Sequence, residues 1–425
     1  MTLAALAMVL SFVCLLIFGV PIVFSLGLAA VVGFLTADIN TVVLTQRVIA
    51  GTQVSALLAI PGFILAGELM VQGGLARKLV TLSETLIGHV RGGLAMVAVV
   101  SATLFAALSG SAPATTAAIG GIMIPEMEKR GYPKDFSAGL AAVTGPLGQM
   151  IPPSIPFIIW GALTGESITK LFLAGIIPGL MITTGLIIYC YSIAKKLGVE
   201  SLERSSFNTI IRALNDSKWA LLVPVIILGG IYGGIFTPTE ASAVGVAYGL
   251  VISLFVYREI TYRDLYRIIL QASKTTAIVC FIIAMAASFG WLVARMQLPG
   301  MMAEKFLSLS DNPYIALLLL NLLLFFVGMV MDTTAAMIIL VGMLVVLGQK
   351  LGLDPTHLGA IVVINFAVGM ASPPFGYTIF VSSAMTGLTV VQISKRMIPM
   401  LLIAAAVVLL MTYIPSIALY LPGFI

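Results

Sequence analysis

The residues best suited to chemistry in this chain lie inside its most apolar stretches. Asp332 is the only acid between 313 and 349. An ionised acid at the centre of a membrane helix costs about 2.5–3.5 kcal/mol on insertion scales, so it is kept there for a reason. It can ligate a cation, carry a proton, or cap the helix that starts near Thr333. It belongs to Gly-Met-Val-Met-Asp-Thr-Thr at 328–334, and a comparable break, Leu-Ser-Gly-Ser-Ala-Pro-Ala-Thr-Thr, occupies 108–116. In hydrocarbon an unpaired backbone group costs several kcal/mol, so such breaks survive only when packed in protein or lining a wet cavity. A helical hairpin dipping part-way into the membrane fits each one. Its tip presents hydroxyls from Ser109, Ser111, Thr115, Thr333 and Thr334, loose carbonyls and helix N-termini. The competing reading is an ordinary turn between two full crossings.

A second pair of breaks is Gly-Gln-Met-Ile-Pro-Pro-Ser at 148–154 and Gly-Met-Ala-Ser-Pro-Pro-Phe at 369–375. Two successive prolines delete two N–H donors and free carbonyls upstream. Carbonyls freed at mid-membrane suit a hard cation such as Na⁺, by analogy with other oxygen-seeking ions; a packing kink is the alternative. Arg295 has the planar fork that holds a carboxylate, yet Pro299 follows four residues later and the side chain could equally reach the interface. Glu68 sits in a similar run and reads as structural. Thr237-Pro238-Thr239-Glu240 reads as a capping box. Gln149 and Asn365 are neutral amides suited to an ion or to a helix–helix hydrogen bond.

Composition says what must position these groups. Of 425 residues, 60% are hydrophobic and 9% charged. Mean hydropathy is +1.14. Soluble domains carry about 25% charged residues. The chain is therefore expected to be an all-α polytopic membrane protein, and its unbroken apolar runs argue against a β-barrel. Cys14, Cys190 and Cys280 all lie in apolar runs, so neither a disulfide nor a metal cluster is expected. Met1-Thr2-Leu3 lacks the basic start of a cleaved signal. Helices are expected near 3–18, 21–36, 55–72, 92–109, 112–126, 136–165, 171–193, 219–236, 239–256, 275–297, 313–331, 333–349, 356–388 and 398–418. Basic residues cluster in five loops, around Arg77–Arg91, Lys129–Lys134, Lys195–Lys218, Arg258–Lys274 and Lys395–Arg396. They share one face if 92–126 and 313–349 enter and return while the other segments cross once. That face is cytoplasmic by the positive-inside rule, which places both termini on the far side. The net charge of +5 then sets orientation and does not imply nucleic acid.

The chain also repeats. Gly73, Ala76, Lys78, Leu82 and Ser83 match Gly300, Ala303, Lys305, Leu309 and Ser310 at an offset of 227. Gly110, Thr115, Thr116, Ala117 and Ala118 match Gly328, Thr333, Thr334, Ala335 and Ala336 at 218. Gly148, Pro152, Pro153, Ile158, Ile177 and Pro178 match Gly369, Pro373, Pro374, Ile379, Ile398 and Pro399 at 221. An odd number of crossings separates the copies, so they run in opposite senses, as in secondary transporters. No P-loop, His-Glu-x-x-His or Gly-x-Ser-x-Gly is present, and His89 and His357 are read in loops on opposite faces. A membrane-embedded enzyme is therefore disfavoured.

Leu108–Thr116, Gly145–Ser154, Gly233–Gly245 with its Phe-Thr-Pro-Thr-Glu-Ala, Gly328–Ala336 and Gly369–Gly376 together resemble the large membrane subunit of tripartite ATP-independent periplasmic (TRAP) transporters, over nearly the whole chain. The resemblance implies an inverted-repeat elevator with about ten transmembrane helices and two re-entrant hairpins. Its scaffold would comprise 1–90 and 194–300, and its transport domain 91–193 and 301–425. It implies Na⁺-driven uptake of an organic acid anion, of sialic acid or C4-dicarboxylate type, through a bacterial inner membrane. A small four-helix membrane subunit and a periplasmic substrate-binding protein would be the partners. Carried over, Ser109, Ser111, Gly145 and the backbone from Gln149 to Pro152 would form one Na⁺ site. Asp332, Thr333, Gly369 and the backbone near Ser372 would form its mate. Arg295, Ser111, Thr334 and Gln149 would meet the substrate. A carrier working without a binding protein and a Na⁺/H⁺ antiporter are the other transport readings.

Overall fold

The structure is a computed structural model that describes residues 3–199 and 201–425. Met1 and Thr2, on which the reading of the N-terminus partly rests, lie outside the described residues, as does Glu200. Among the described residues all regular structure is helical.

The first half runs α1 (Leu3–Ile17), α2 (Ile22–Thr36), α3 (Thr41–Thr52), α4 (Ala59–Gln72, led by a 3₁₀ turn at Ser55–Leu58) and α5 (Leu75–Ile87). The hairpin α6 (Gly93–Ser109) and α7 (Ala112–Lys129) follows, and then one interrupted helix as α8 (Lys134–Thr144), α9 (Leu147–Met150) and α10 (Ile155–Thr164). The long α11 (Ile168–Leu197) closes this half. The second half runs α12 (Phe207–Tyr232), α13 (Pro238–Val251, extended by a π turn to Val256), α14 (Tyr262–Arg295) and α15 (Leu298–Leu307). A second hairpin, α16 (Pro313–Val330) and α17 (Thr333–Lys350), precedes a second interrupted helix, α18 (Pro355–Gly369) and α19 (Tyr377–Thr386). α20 (Val390–Tyr413) and the short α21 (Ser416–Leu419) end the chain. Among the described residues eight helices are long and apolar enough to cross a membrane, and shorter apolar helices supplement them. The chain is a polytopic α-helical membrane protein.

Packing follows the repeat. α13 lies on α4, α1 on α2, and α14 against α2, α3 and α4. The hairpins and interrupted helices pack on one another: α8 meets α7, α19 and α20, α16 meets α18, and α11 meets α6 and α20. Local chemistry sets the helix starts. Thr237 and Glu240 make the anticipated capping box, with the Thr237 N–H donating to Glu240 Oε2 at 2.8 Å. Thr261–Asp264 and Thr389–Gln392 make two more.

Three helices fall where loops or nothing were expected. α5 replaces the basic loop after Gly73, α15 lies in 299–312, and α3 fills the gap after Asn40. α5 is amphipathic: Leu75, Leu79, Val80 and Leu82 are buried while Arg77 and Thr81 face out. Charge made it read as a loop, although an apolar stripe at helical spacing is present. α12 and α14 likewise begin well before their apolar cores. The expected helices 136–165 and 356–388 are each divided at the double proline.

A buried polar chain ties the second half together. The Asn365 amide donates to Asn321 Oδ1 at 2.8 Å, and the Thr412 hydroxyl donates to the same oxygen at 3.0 Å. α16, α18 and α20 are thereby joined. At the matching position of the first hairpin, Thr103 makes a single hydroxyl contact with Thr183 of α11 at 2.9 Å. Hydrogen bonds between membrane helices average about 0.6 kcal/mol and reach about 1.7. Asn365→Val should therefore cost about 1 kcal/mol and Thr103→Val less, read as shifts of the thermal midpoint in detergent. Equal midpoints for Asn365→Val and the parent would show that the chain contributes nothing.

Candidate functional site

The first tip is made by small residues. α6 ends at Ser109, and Gly110 turns the chain at φ +62°, where a side chain is disfavoured. A Cβ at Gly110 would also come within 2.8 Å of Pro153 O. Ser111 then caps α7, accepting from the Ala114 N–H at 3.5 Å. The buried hydroxyls of Ser109 and Thr115 are 2.7 Å apart. Gly145 and Gly148 let the interrupted helix close on this tip: a Cβ at Gly145 would collide with Thr116 Oγ1, and one at Gly148 with Thr115 Oγ1 and Ser111 O. Pro152 and Pro153 remove the N–H groups that would reach the Gly148 and Gln149 carbonyls. The Ser154 hydroxyl takes over at Gln149 O and accepts the Phe157 N–H at 3.4 Å, so one side chain spans the gap. The 152–153 peptide bond is cis, as is 373–374.

The second tip repeats the plan with different atoms. Asp332 is the N-cap of α17, its Oδ2 accepting from the Thr334 N–H at 2.9 Å, and it remains accessible at the tip. Gly369 abuts the hairpin so closely that a Cβ would lie 2.8 Å from Phe325 O and from the Gly328 carbonyl carbon. The carbonyls left by Pro373 and Pro374 are both satisfied locally. Ser372 N–H donates to Gly369 O at 2.8 Å, and Thr378 N–H to Met370 O at 3.1 Å. The Ser372 hydroxyl donates to Val368 O at 3.0 Å.

The copies meet at one polar seam. Thr333 Oγ1 lies 3.1 Å from Gln149 Oε1 and 2.9 Å from Met370 Sδ. Gln149 and Met370 occupy matching positions of the two interrupted helices, so Thr333 lies between equivalent residues. Thr378 Oγ1 adds a link at 2.9 Å to Ala142 O of the other copy. Ser109, Ser111, Gly145, Gln149, Pro152, Asp332, Thr333, Thr334, Gly369 and Ser372 thus belong to two adjoining tip-and-break clusters. Arg295 does not. It is exposed at the end of α14, its guanidinium 5.6 Å from the centre of the Trp291 ring. Arg47 lies over the same ring at 4.9 Å, and Phe34 stacks on it at 5.6 Å. His357 is in α18 rather than a loop, buried, with Nε2 2.9 Å from Met411 O. Met370, Thr378 and Arg47 were not anticipated; Met370 could have been found as the repeat partner of Gln149.

Oxygen dominates both clusters: hydroxyls, carbonyls, one amide and one carboxylate. Among the described residues no three His, Cys, Asp or Glu side chains gather as a transition-metal site would require. Neutral oxygens with at most one carboxylate suit a hard, weakly charged cation.

The copies are not engaged alike. In the first, Gly67 of α4 packs on the tip, a Cβ there lying 3.3 Å from Ser109 O. In the second, α14 packs on the return arm α17, and a Cβ at Gly342 would lie 3.2 Å from Pro299 Cγ. Pro152 and Pro153 are buried, whereas Pro374 and Phe375 are exposed. One side of the site is covered and the other open.

Comparison with known proteins places this arrangement. The family described as "Tripartite ATP-independent periplasmic transporter, DctM component" matches residues 9–417. The isethionate TRAP transporter permease protein DctMQ of Oleidesulfovibrio alaskensis is 41% identical over 97% of this chain, which spans 65% of that protein's length. The C4-dicarboxylate TRAP transporter large permease of Pseudomonas aeruginosa is 40% identical, with 87% of this chain and 86% of that one covered. The sialic acid TRAP transporter large permease of Vibrio cholerae is 37% identical, with 96% of each covered. Among solved structures, the YdaH transporter of Alcanivorax borkumensis shares the fold at a TM-score of 0.60 and 12% identity, covering 87% of this chain and 86% of its own.

The glycine contacts make a directional test. Gly369→Ala should destabilise the protein by about 1–3 kcal/mol, since backbone rather than a flexible side chain must yield. Gly121, in α7 with nothing within 4 Å of its Cβ direction, should become slightly more stable as alanine, by about 0.5–1 kcal/mol. Thermal denaturation of both variants checks the sign; a stabilised Gly369→Ala would mean the hairpin is not seated on the break.

Proposed function

The chain belongs to the DctM family of tripartite ATP-independent periplasmic transporters, whose relatives are named as permeases and not as enzymes, and on that premise we propose that it takes up an organic acid anion coupled to Na⁺. In this reading it is the large permease of the inner membrane, with both termini periplasmic. It works with a small membrane subunit and a periplasmic binding protein. The observation that carries the reading is the pair of oxygen-lined tips, each packed on an interrupted helix and joined through Thr333 and Gln149. Ser109, Ser111, Gly145 and the backbone from Gln149 to Pro152 would hold one Na⁺. Asp332, Thr333, Gly369 and the backbone near Ser372 would hold the other. Ser111, Thr334 and Gln149 would meet the substrate between them. Arg295 and Arg47, both exposed near the Trp291 ring, would supply positive charge that favours the approach of an anion. The names of the relatives support an acid cargo: isethionate, C4-dicarboxylates and sialic acid are all anions at neutral pH.

Movement is proposed to be that of an elevator, with residues 91–193 and 301–425 travelling against 1–90 and 194–300. Its support is the unequal engagement of the copies. When inverted repeats exchange roles, the contacts of one become those of the other. Gly67–Ser109 corresponds to Ala294–Val327, and Pro299–Gly342 corresponds to Gln72–Ile124, at the offsets of the repeat.

Reconstituted with its two partners, the protein should show Na⁺-dependent uptake that Asp332→Ala abolishes. Uptake indifferent to Na⁺ would remove the coupling, and uptake by the single chain would favour a carrier independent of a binding protein. A cysteine pair at Ala294 and Val327 should cross-link during turnover and not in the state described here. Cross-linking that ignores substrate and Na⁺ would end the exchange model.

A further inference from the structure

Away from the tips, an open cavity of 260 Å³ lies where α5, α12 and the end of α13 meet. Lys78, Asn215, Asp216, Lys218, Trp219 and Tyr257 line it. Lys78 Nζ sits 5.5 Å from the centre of the Tyr257 ring, and Lys218 Nζ 5.3 Å from that of Trp219. Among the described residues neither ammonium has a carboxylate within 4.0 Å; Lys218 donates to Asn215 Oδ1 at 2.8 Å. Aromatic faces attract cations but leave their N–H donors free for an anion. Asp216 also lines the cavity and makes no ion pair with either lysine, and its backbone carbonyl accepts from the Tyr257 hydroxyl at 2.8 Å. The Ser217 hydroxyl donates to Lys78 O at 2.9 Å, and the Tyr248 hydroxyl to Trp219 O at 2.9 Å. The two lysine-bearing segments are thus pinned to each other rather than swinging free.

The surroundings are those of a membrane boundary. Leu214 and Leu222 of α12, and Val251, Phe255 and Val256 at the end of α13, are exposed apolar side chains beside the cavity. α12 and α13 are both long and apolar enough to span. Trp and Tyr favour the headgroup level, and lysines there meet anionic lipid. The cavity also falls at the basic loops that the positive-inside rule assigns to the cytoplasmic side.

We propose that this cavity binds a phosphate anion, and that its source is the headgroup of an anionic phospholipid, whose acyl chains lie over the apolar side chains of α12 and α13. Lys78 and Lys218 hold the phosphate oxygens, Trp219 and Tyr257 hold the lysines and the glycerol level, and Asn215 orients Lys218. A lipid seated here fastens α5 to α12, which already pack on each other. The proposal is independent of what the protein transports.

The test uses the full chain purified in neutral detergent and its thermal midpoint as a function of added lipid. Dioleoyl-phosphatidylglycerol should raise the midpoint saturably, while dioleoyl-phosphatidylcholine and glycerophosphate at the same concentrations should not. Lys78→Gln with Lys218→Gln should weaken the apparent affinity by about five-fold for each lysine lost. Lys78→Arg with Lys218→Arg, which keeps the charge, should retain it. Should the double variant not fold, Lys218→Gln alone, at an exposed position, is read instead. An equal response to phosphatidylcholine, or parental affinity in the glutamine variants, overturns the site. A full response to glycerophosphate overturns the lipid as its source.

Discussion

Every backbone N–H and C=O that leaves a helix inside the bilayer must find a partner within the protein, because hydrocarbon offers none. The architecture answers that requirement twice. Pro152-Pro153 and Pro373-Pro374 interrupt two helices; Ser154 takes up Gln149 O in one copy, and Ser372 and Thr378 take up Gly369 O and Met370 O in the other. The hairpins then have to lie against the breaks, which needs backbone at touching distance. Gly145, Gly148, Gly328 and Gly369 provide it. The glycines, hydroxyls and prolines of the motifs are therefore parts of one device: backbone polarity concentrated where each hairpin meets its break.

The two copies solve the problem with different atoms at equivalent places. Gln149 and Met370 are repeat partners, and Thr333 sits between them. An amide offers a hard oxygen and a thioether does not, so the seam is polar on one side and soft on the other. The acid is also unpaired by the repeat: Asp332 corresponds to Ala114 in the first copy. Asymmetry in side chains matches asymmetry in packing, with one break covered and the other open. An inverted pair in which both halves were engaged identically would have no second state to move to.

Much of this was legible from residue types. Double prolines in long apolar runs, small polar interruptions, and their recurrence at nearly fixed offsets gave the breaks, the hairpins and the pairing. Thr237-Pro238-Thr239-Glu240 gave a cap, and the cap formed. α3, α5 and α15 were illegible because they carry charge or few apolar residues, and hydropathy alone does not separate an amphipathic arm from a loop. The charged starts of α12 and α14 were lost in the same way. The place of Arg295 was not legible either. Its fork has the chemistry to hold a carboxylate, but whether it faces the tips depends on how α14 leans on α2, α3 and α17, which spacing does not encode.

Charge limits what such a site can carry. Moving an unbalanced charge through the bilayer is expensive, so the loaded body should approach neutrality. If each tip holds one Na⁺, two positive charges face the single carboxylate of Asp332, and one positive charge remains. A monoanion cancels it, while a dianion requires a further cation. A single acid at the two tips would thus link cargo charge to the number of ions bound. An empty body would carry the bare acid, and a body with two Na⁺ and no cargo an excess cation, and each would resist transfer; a body with one Na⁺ would be neutral. Under the proposed coupling, electrostatics at the tips would oppose those two charged states, and the neutral, singly loaded body would have to be held back by packing instead.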